Sequence, residues 1–223
     1  MFRSLAALLL LTAPALADTA DGEALKAMSW DQIVEQARGG EVNWFMWGGA
    51  DTINAYVSDY VAGVLERDYD IMLNRVPITD AAEIVNLILS EKEAGILDAG
   101  TVDLIWINGE NFRSMRQGDL AFCGYTALLP NDALVNWDNP AIANDFGVPV
   151  EGCEVPWNTV QFAFAHDSAA VAQPPREMAG LLEWIKANPG RFTYPAPPDF
   201  TGSAFLRHVF THAAGGPDAL LGP

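Results

Sequence analysis

The stretch "EVNWFMWGGADTINAYV", residues 41–57, joins a strand pattern to the most regular helical pattern of the chain. The residues up to Trp47 have the alternating pattern of a buried strand, and apolar residues recur at helical spacing from Asp51 onward. Gly48 and Gly49 stand between the two patterns, and Asp51 is a natural N-cap. The stretch therefore predicts a strand that passes through a bare backbone turn directly into a helix.

The order of strand and helix recurs along the first half of the chain. The third predicted strand, "VDLIWI", is apolar except at Asp103, which is typical of parallel sheets covered on both faces. This half therefore predicts an open α/β sheet, followed by an irregular region at 119–156. The predicted helices cover residues 29–37, 51–67, 80–95, 110–117, 177–187 and 200–212, and the predicted strands 41–47, 71–76, 102–107, 160–164 and 191–194.

Composition and motifs argue against several classes of protein. Half of the 223 residues are hydrophobic, so the chain can bury a sizeable core. A formal net charge of −17 argues against nucleic acids and anionic membranes as partners. No P-loop, G-x-G-x-x-G or G-x-S-x-G motif occurs, and His208 and His212 lack the glutamate of the zinc-protease motif. We predict no nucleic-acid partner, no metal and no cofactor.

The first residues, "MFRSLAALLLLTAPALAD", have the pattern of a secretory signal peptide. Arg3 gives a positive start, residues 5–11 form an apolar run too short to span a bilayer, and Ala15-Leu16-Ala17 is a small-residue cleavage signal. We therefore predict cleavage near Ala17 and export, with the periplasm as the location. The alternative is a buried N-terminal helix.

Cys123 and Cys153 are the two cysteines of the chain. An even pair in an oxidising compartment predicts a disulfide, with two free buried thiols as the alternative. Neither cysteine has Lys, Arg or His within several residues in sequence, so nothing nearby in the chain activates a thiol as a nucleophile.

Polar and glycine-rich segments follow several predicted strands, where open α/β sheets bind ligands. Trp47 offers a flat apolar wall, and Gly48 and Gly49 allow close approach to the free N–H groups of the next helix; the alternative is a tight turn without a ligand. The turn at Asn108, with Glu110 and Asn111 after it, meets the same sheet edge, although helix capping alone would explain it.

Two further candidate segments lie in the second half of the chain. "PWNT", residues 156–159, precedes the Phe-rich strand and contains Trp157 and Asn158. "PDFTGSAF", residues 198–205, opens a helix with hydroxyls and free N–H groups suited to anionic oxygens. The alternative for this second segment is ordinary N-capping by Thr201.

Taken together, the signal peptide, "EVNWFMWGG", "VDLIWINGENF", "VPWNTVQFAFAHD" and "LLEWIKANPGRFTYPAPPDFTGSAF" resemble a bacterial ABC-transporter extracellular solute-binding protein of the YnjB-type branch. The resemblance implies the type II periplasmic binding protein fold, in which two hinged lobes close on a solute. It places lobe 1 at 18–155 and lobe 2 from 156 to 223. Members of the family are longer, so we expect a truncated chain in which lobe 2 and the return segment are incomplete.

The resemblance also implies partners and site residues. We expect a small polar solute, a membrane permease with its cytoplasmic ATPase, and a monomer. The implied ligand-binding residues are Trp47, Gly48, Gly49, Asn108, Glu110, Asn111, Trp157, Asn158, Tyr194, Thr201, Gly202 and Ser203. Two rival functions stay open at this point. One is a secreted enzyme on the same scaffold with Cys123 as nucleophile, and the other is a sensor domain that does not transport.

Overall fold

The computed structural model describes residues 22–97, 99–158, 160–197 and 199–220. They fall into two compact units, a first up to Val155 and a second from Pro156 onward. The predicted signal peptide lies outside the described residues, as do Thr159 and Pro198 of the quoted motifs. Within the described ranges, no helix is both long enough and apolar enough to cross a membrane.

The first unit is an α/β layer structure built on a parallel sheet. The sheet has the strand order β2-β1-β3, and both neighbours run parallel to β1, as predicted. Its main elements are α1 (Gly22–Lys26), α2 (Trp30–Ala37), β1 (Glu41–Trp47), α3 (Asp51–Ala55), a π-helical segment (Tyr56–Val61), α4 (Ala62–Tyr69), β2 (Met72–Ile78), α5 (Ala81–Glu93), β3 (Leu104–Ile105) and α6 (Gly109–Gln117).

The predicted helix starts are partly right. Ser29 caps α2 in a reciprocal pair with Gln32, and Asp80 caps α5 by accepting from the N–H of Ala82 at 2.9 Å. The expectation for Asp51 is wrong: the N-cap of α3 is Ala50, which offers no side-chain cap, and Asp51 is the first helical residue. Ala50 has the extended backbone that an N-cap needs, so the helix begins one residue earlier than expected.

Strand β3 is much shorter than the predicted 102–107. Only Leu104 and Ile105 pair with β1, opposite Trp44 and Phe45. One residue earlier the Asp103 carboxylate accepts from the Asn43 N–H at 2.8 Å, and one residue later the Trp106 N–H donates to the Phe45 carbonyl at 2.8 Å. A side chain therefore replaces part of the ladder, and the continuous apolar pattern overstated the strand.

The core of the first unit lies on both faces of the sheet. Met46 and Val57 are fully buried, and Val57 belongs to the π-helical segment that contacts β2. Phe45 of β1 is buried as well, as are residues of α5 and α6. Burying both sides of β1 explains why its sequence is nearly all apolar despite the alternation.

Residues 119–155 close the first unit with short elements. They contain 3₁₀ turns (Thr126–Leu128 and Asp132–Leu134), α7 (Pro140–Ala143), and a hairpin of β4 (Asn144–Asp145) and β5 (Val148–Pro149). The two-residue hairpin loop, Phe146-Gly147, has positive φ at both positions, as a type I′ turn requires. The predicted disulfide between Cys123 and Cys153 is present and ties this region together.

The second unit consists of two helices and a cluster of aromatic rings. The helices are α8 (Met178–Ala187) and α9 (Phe200–Ala214), followed by a 3₁₀ turn (Pro217–Leu220). The predicted strands at 160–164 and 191–194 are wrong, because the described part of this unit contains no strand. Phe162 and Phe164 alternate because both rings contact Phe205 of α9, with centroids 6.4 and 5.9 Å away, and not because they belong to a ladder.

Candidate functional site

The carboxyl ends of β1 and β3 lie side by side at one edge of the sheet. The rings of Trp47 and Trp106 meet there edge to face, with centroids 6.3 Å apart and planes at 89°. Trp47 is 49% exposed, which is a large apolar surface for a residue at the end of a buried strand. The structure therefore brings the predicted turn after Trp47 and the predicted turn at Asn108 to the same edge.

The two glycines after Trp47 make room for neighbouring side chains of the protein itself. A Cβ atom on Gly49 would overlap the Trp47 ring, so this ring lies flat against the Gly49 backbone. A Cβ on Gly48 would lie 3.2 Å from Pro77 Cβ and 3.5 Å from Arg75 Nη1. Because Gly49 has no side chain, the Trp47 ring can pack against its backbone, and because Gly48 has none, the Arg75 guanidinium can lie close to it. The sequence pattern did not reveal this packing role.

The helix that follows these glycines has an uncapped start. No side chain accepts a hydrogen bond from its first N–H groups among the described residues, since Ala50 occupies the N-cap. α3, the π-helical segment and α4 follow one another without a break over residues 51–69, and their aligned peptide dipoles give this end a partial positive charge. Such a helix start favours oxygen atoms, and a ligand at this edge stays a prediction.

The hairpin of β4 and β5 contacts the turn at Asn108. Gly109 has φ of +60°, its N–H donates to the Asp145 carboxylate, and the Phe146 ring lies 3.5 Å from the position of its missing Cβ. Asn108 is the N-cap of α6 without a side-chain cap bond, and Glu110 is exposed in the first turn. Asn111 lines a groove of about 300 Å³ between α5 and α6.

Two half-buried acidic residues, Asp145 and Glu154, lie near the end of the first unit. Burial, and then repulsion from Asp145, raises the pKa of Glu154 to about 8. Burial likewise raises the pKa of Tyr125, with a smaller contribution from Glu154. Glu154 therefore carries a proton at neutral pH, which relieves its repulsion with Asp145.

In the second unit, the structure brings Tyr194 and the start of α9 together. Tyr194 contacts Phe205 with ring centroids 4.6 Å apart and is 41% exposed. A Cβ on Gly202 would overlap the Pro195 carbonyl oxygen, so α9 packs directly on the segment that follows Tyr194. Trp157, 42% exposed, and the exposed Asn158 lie in a segment without regular structure at the beginning of this unit.

At the start of α9 the Gly202 and Ser203 N–H groups are already used, and the N-cap is Asp199, not Thr201. The Asp199 carboxylate accepts from the Gly202 N–H at 2.9 Å, and its carbonyl accepts from the Ser203 N–H at 2.9 Å. Gly202 is also buried beneath Pro195. Thr201 is exposed and Ser203 is partly buried, so their hydroxyls are the side-chain groups at this helix start that could contact a ligand.

The cysteines have a basic neighbour that sequence distance did not show. Arg116 of α6 donates through Nη1 to both sulfurs of the disulfide, with Cys123 Sγ at 3.1 Å, and through Nη2 to the Glu151 carboxylate. Because the two sulfurs are joined to each other, Cys123 is not a free nucleophile here. Among the described residues, no group of three or more His, Cys, Asp or Glu side chains could hold a metal ion.

Sequence reasoning also missed the polar cluster behind Gly48. Asn54 and Ser58 stand one helical turn apart on the helix after Gly49, and Arg75 faces them from β2. The available signal was the spacing of Asn54 and Ser58 on one helix face, together with an arginine inside the strand "MLNRVPI".

Two comparisons with known proteins show the family to which the chain belongs. Residues 60–218 match the family described as "Bacterial extracellular solute-binding protein". The chain is 42% identical over 197 residues to Protein YnjB of Escherichia coli (strain K12), a match that takes in 88% of this chain and 50% of YnjB. The chain thus spans about half the length of this curated relative. It belongs to the family of bacterial extracellular solute-binding proteins.

Proposed function

We propose that this chain acts in the periplasm as the substrate-binding component of an ABC importer. It captures a small polar solute and delivers it to a membrane permease driven by a cytoplasmic ATPase. The family supports the binding role, and the geometry of the first unit supports the location of the site. Binding is the whole of the proposed activity, with no catalytic step.

The observation that carries the proposal is the pair of tryptophans at adjacent strand ends. Trp47 and Trp106 form a half-exposed apolar surface at the carboxyl edge of a parallel sheet, where ligands bind in open α/β folds. The Trp47 ring packs against the backbone of Gly49, which restricts its orientation. Little side-chain entropy is therefore lost when a solute stacks on the ring. In this proposal Asn108, Glu110 and Asn111, at the start of α6, supply polar groups to the solute.

Residues of the second unit contribute further contacts in this proposal. Trp157, Tyr194 and the hydroxyls of Thr201 and Ser203 are the side chains that would meet the solute, with Asn158 as an amide partner. Capture by closure of two lobes is the mechanism that the family suggests, since binding energy can shift an open-to-closed equilibrium. Gly202 takes a packing role instead of a ligand contact, because Pro195 covers it.

A pair of tryptophan variants tests the proposal. A solute is first found by thermal-shift screening of the chain against vitamins, sugars, amino acids and small oxyanions, and its Kd is then measured by titration calorimetry. We expect Trp47→Ala to raise the Kd by about tenfold or more, because the stacking surface is lost. Trp30→Ala is the matched control, since Trp30 is 40% exposed on α2, and it should leave the Kd unchanged. An unchanged Kd for Trp47→Ala contradicts the proposed site.

A further inference from the structure

Arg75 is a strand residue whose charged head reaches the sheet edge beside the proposed site. It lies in the middle of β2, opposite Trp44, and on the same face as Pro77, two residues further along the strand. Its Nη1 atom is 3.5 Å from the position that a Gly48 Cβ would take. The side chain therefore runs past Pro77 and ends directly behind the Gly48 turn.

The Arg75 guanidinium has fewer partners than its charge requires. Nε donates to Ser58 Oγ at 2.9 Å, whereas Nη1 is buried and has no hydrogen-bond acceptor. No carboxylate in the described ranges forms an ion pair with it. A partly buried cation without an anionic partner is costly, so an unpaired atom of this kind calls for an explanation.

Asn54 leaves a second unpaired atom at the same place. Its Nδ2 donates to the Gly48 carbonyl at 2.8 Å, which fixes the amide because the opposite orientation would bring two oxygens together. Its Oδ1 is then buried without a donor, 4.0 Å from the position of the missing Gly48 Cβ. The turn therefore holds an unpaired cationic donor and an unpaired acceptor next to each other.

The start of α3 adds positive potential to the same turn. Ala50 provides no side-chain cap, so the helix N-terminus directs its N–H groups toward the Gly48-Gly49 backbone without an acidic cap. Asp51, the acidic residue of the first helical turn, is exposed, and solvent screens its charge. In a chain of net charge −17, Arg75 and this helix start thus place a positive charge and a partial positive charge at one turn.

We propose that Arg75 and Asn54 bind the polar end of the solute, and that this end is an oxyanion carrying a nearby hydroxyl. The anionic oxygens accept from Arg75, and the hydroxyl donates to Asn54 Oδ1. Because Arg75 is partly exposed, rotation about its outer side-chain bonds carries Nη1 to the surface without moving β2. The inference rests on the proposed function and names its substrate class: small hydroxylated carboxylates or phosphate esters.

A purely structural role for Arg75 gives a different set of results. If the arginine only ties the helix to the sheet through Ser58, its removal lowers stability and leaves solute selectivity unchanged. If it binds an oxyanion, an internal carboxylate should compete with the solute. Ser58→Asp supplies such a carboxylate at the position whose hydroxyl oxygen already accepts from Arg75 Nε, and it leaves the arginine in the chain.

The test uses three solutes that share a carbon skeleton: glycerate, glycerol 3-phosphate and glycerol. We expect the chain to bind at least one of the two anions and to bind glycerol at least tenfold more weakly. Arg75→Gln should raise the Kd of the bound anion by about thirtyfold, because a hydrogen bond to a charged group is lost. Ser58→Asp should raise it to a similar degree while the thermal unfolding temperature is kept or increased.

Arg113→Gln is the matched control, because Arg113 is exposed on α6 and the variant changes the net charge equally. It should leave the Kd within twofold. An anion Kd that survives both Arg75→Gln and Ser58→Asp overturns the inference, as does equal or tighter binding of glycerol. If only neutral or cationic solutes bind, and Trp47→Ala weakens them, the proposed function stands and this inference falls. If Trp47→Ala has no effect on any bound solute, or no solute binds at all, both fall.

Discussion

The helix after Gly49 and helix α9 begin in different ways, although each has a glycine near its start. In the first unit, Ala50 leaves the helix start without a side-chain cap, and Trp47 stays 49% exposed beside it. In the second unit, Asp199 caps α9 and Pro195 covers Gly202. The first turn keeps polar groups available at a sheet edge, whereas the second uses most of them to hold its own fold.

The difference shows that a glycine near the start of a helix can have different roles. Gly202 permits two backbone segments to touch, and Gly49 permits a large aromatic ring to lie on the chain. The sheet edge gathers the proposed ligand-binding groups because parallel strands end together. The second unit has no strand among its described residues, so no such edge gathers its polar groups.

The largest expected effect is on the packing of the second unit. Gly202→Ala should lower the free energy of unfolding by about 3 kcal/mol, because the added Cβ overlaps the Pro195 carbonyl oxygen. This oxygen belongs to the backbone, so the overlap is relieved only if the chain around Pro195 moves. Gly180→Ala is the control on α8, where the new Cβ would lie 3.6 Å from Pro175 Cβ. It should stabilise the chain by about 0.5 kcal/mol through helix propensity. Urea unfolding measures both, and a neutral Gly202→Ala would show that the turn is open.

The next effect concerns pH and the end of the first unit. The pKa of Glu154 is raised to about 8 in the folded chain, against roughly 4.3 in the unfolded chain. Above the unfolded value the folded state binds the extra proton, so the free energy of unfolding falls as pH rises through this window and levels off above about 8. Glu154→Gln should remove this slope.

At pH 7, Glu154→Gln should stabilise the chain by roughly 2 kcal/mol, a value reduced from the full shift because part of the carboxyl is exposed to solvent. Glu93→Gln, on the exposed end of α5, serves as the control and should leave the pH profile unchanged. Unfolding curves at pH 5, 7 and 9 measure the slope. A Glu154→Gln variant with the same profile as the parent chain contradicts the protonated state of Glu154.

The smallest effect compares the two helix starts directly. Asp199→Ala should cost about 1 kcal/mol, because the Gly202 N–H loses its acceptor. Ala50→Ser should stabilise the chain by up to about 1 kcal/mol, because Ala50 already has the extended backbone of an N-cap. Thermal unfolding of the two variants measures the difference. A stabilising Asp199→Ala together with a destabilising Ala50→Ser would contradict the capping that the structure shows at the two helix starts.

Much of the first unit could be predicted from its sequence, because its signals are local. Alternation up to Trp47 and helical spacing from Asp51 give the order of elements, and parallel strand ends bring the turns at Gly48 and Asn108 together. The contact of Arg75 with Ser58 and Gly48 joins residues 17 or more positions apart. No local pattern specifies such a contact, so the sequence could not predict it.

The second unit was less predictable for a related reason. The alternation at Phe162 and Phe164 has the period of a strand, but those rings face Phe205 in an aromatic cluster. A strand also needs a partner for its backbone, and alternation alone does not supply one. The alternative of N-capping by Thr201 is wrong by two residues, because Thr201 and Asp199 are both good N-cap residues and only the structure shows which of them accepts.

The most direct test of the proposed edge is a titration followed through the indole N–H signals of the seven tryptophans by NMR. When a bound solute is added, the account predicts that the signals of Trp47 and Trp106 shift most, because their rings form the surface at the ends of β1 and β3. The signals of Trp30 and Trp137 should stay within the spread seen with a solute that does not bind. Shifts confined to Trp30, Trp137 or Trp184, with Trp47 and Trp106 unmoved, would contradict it.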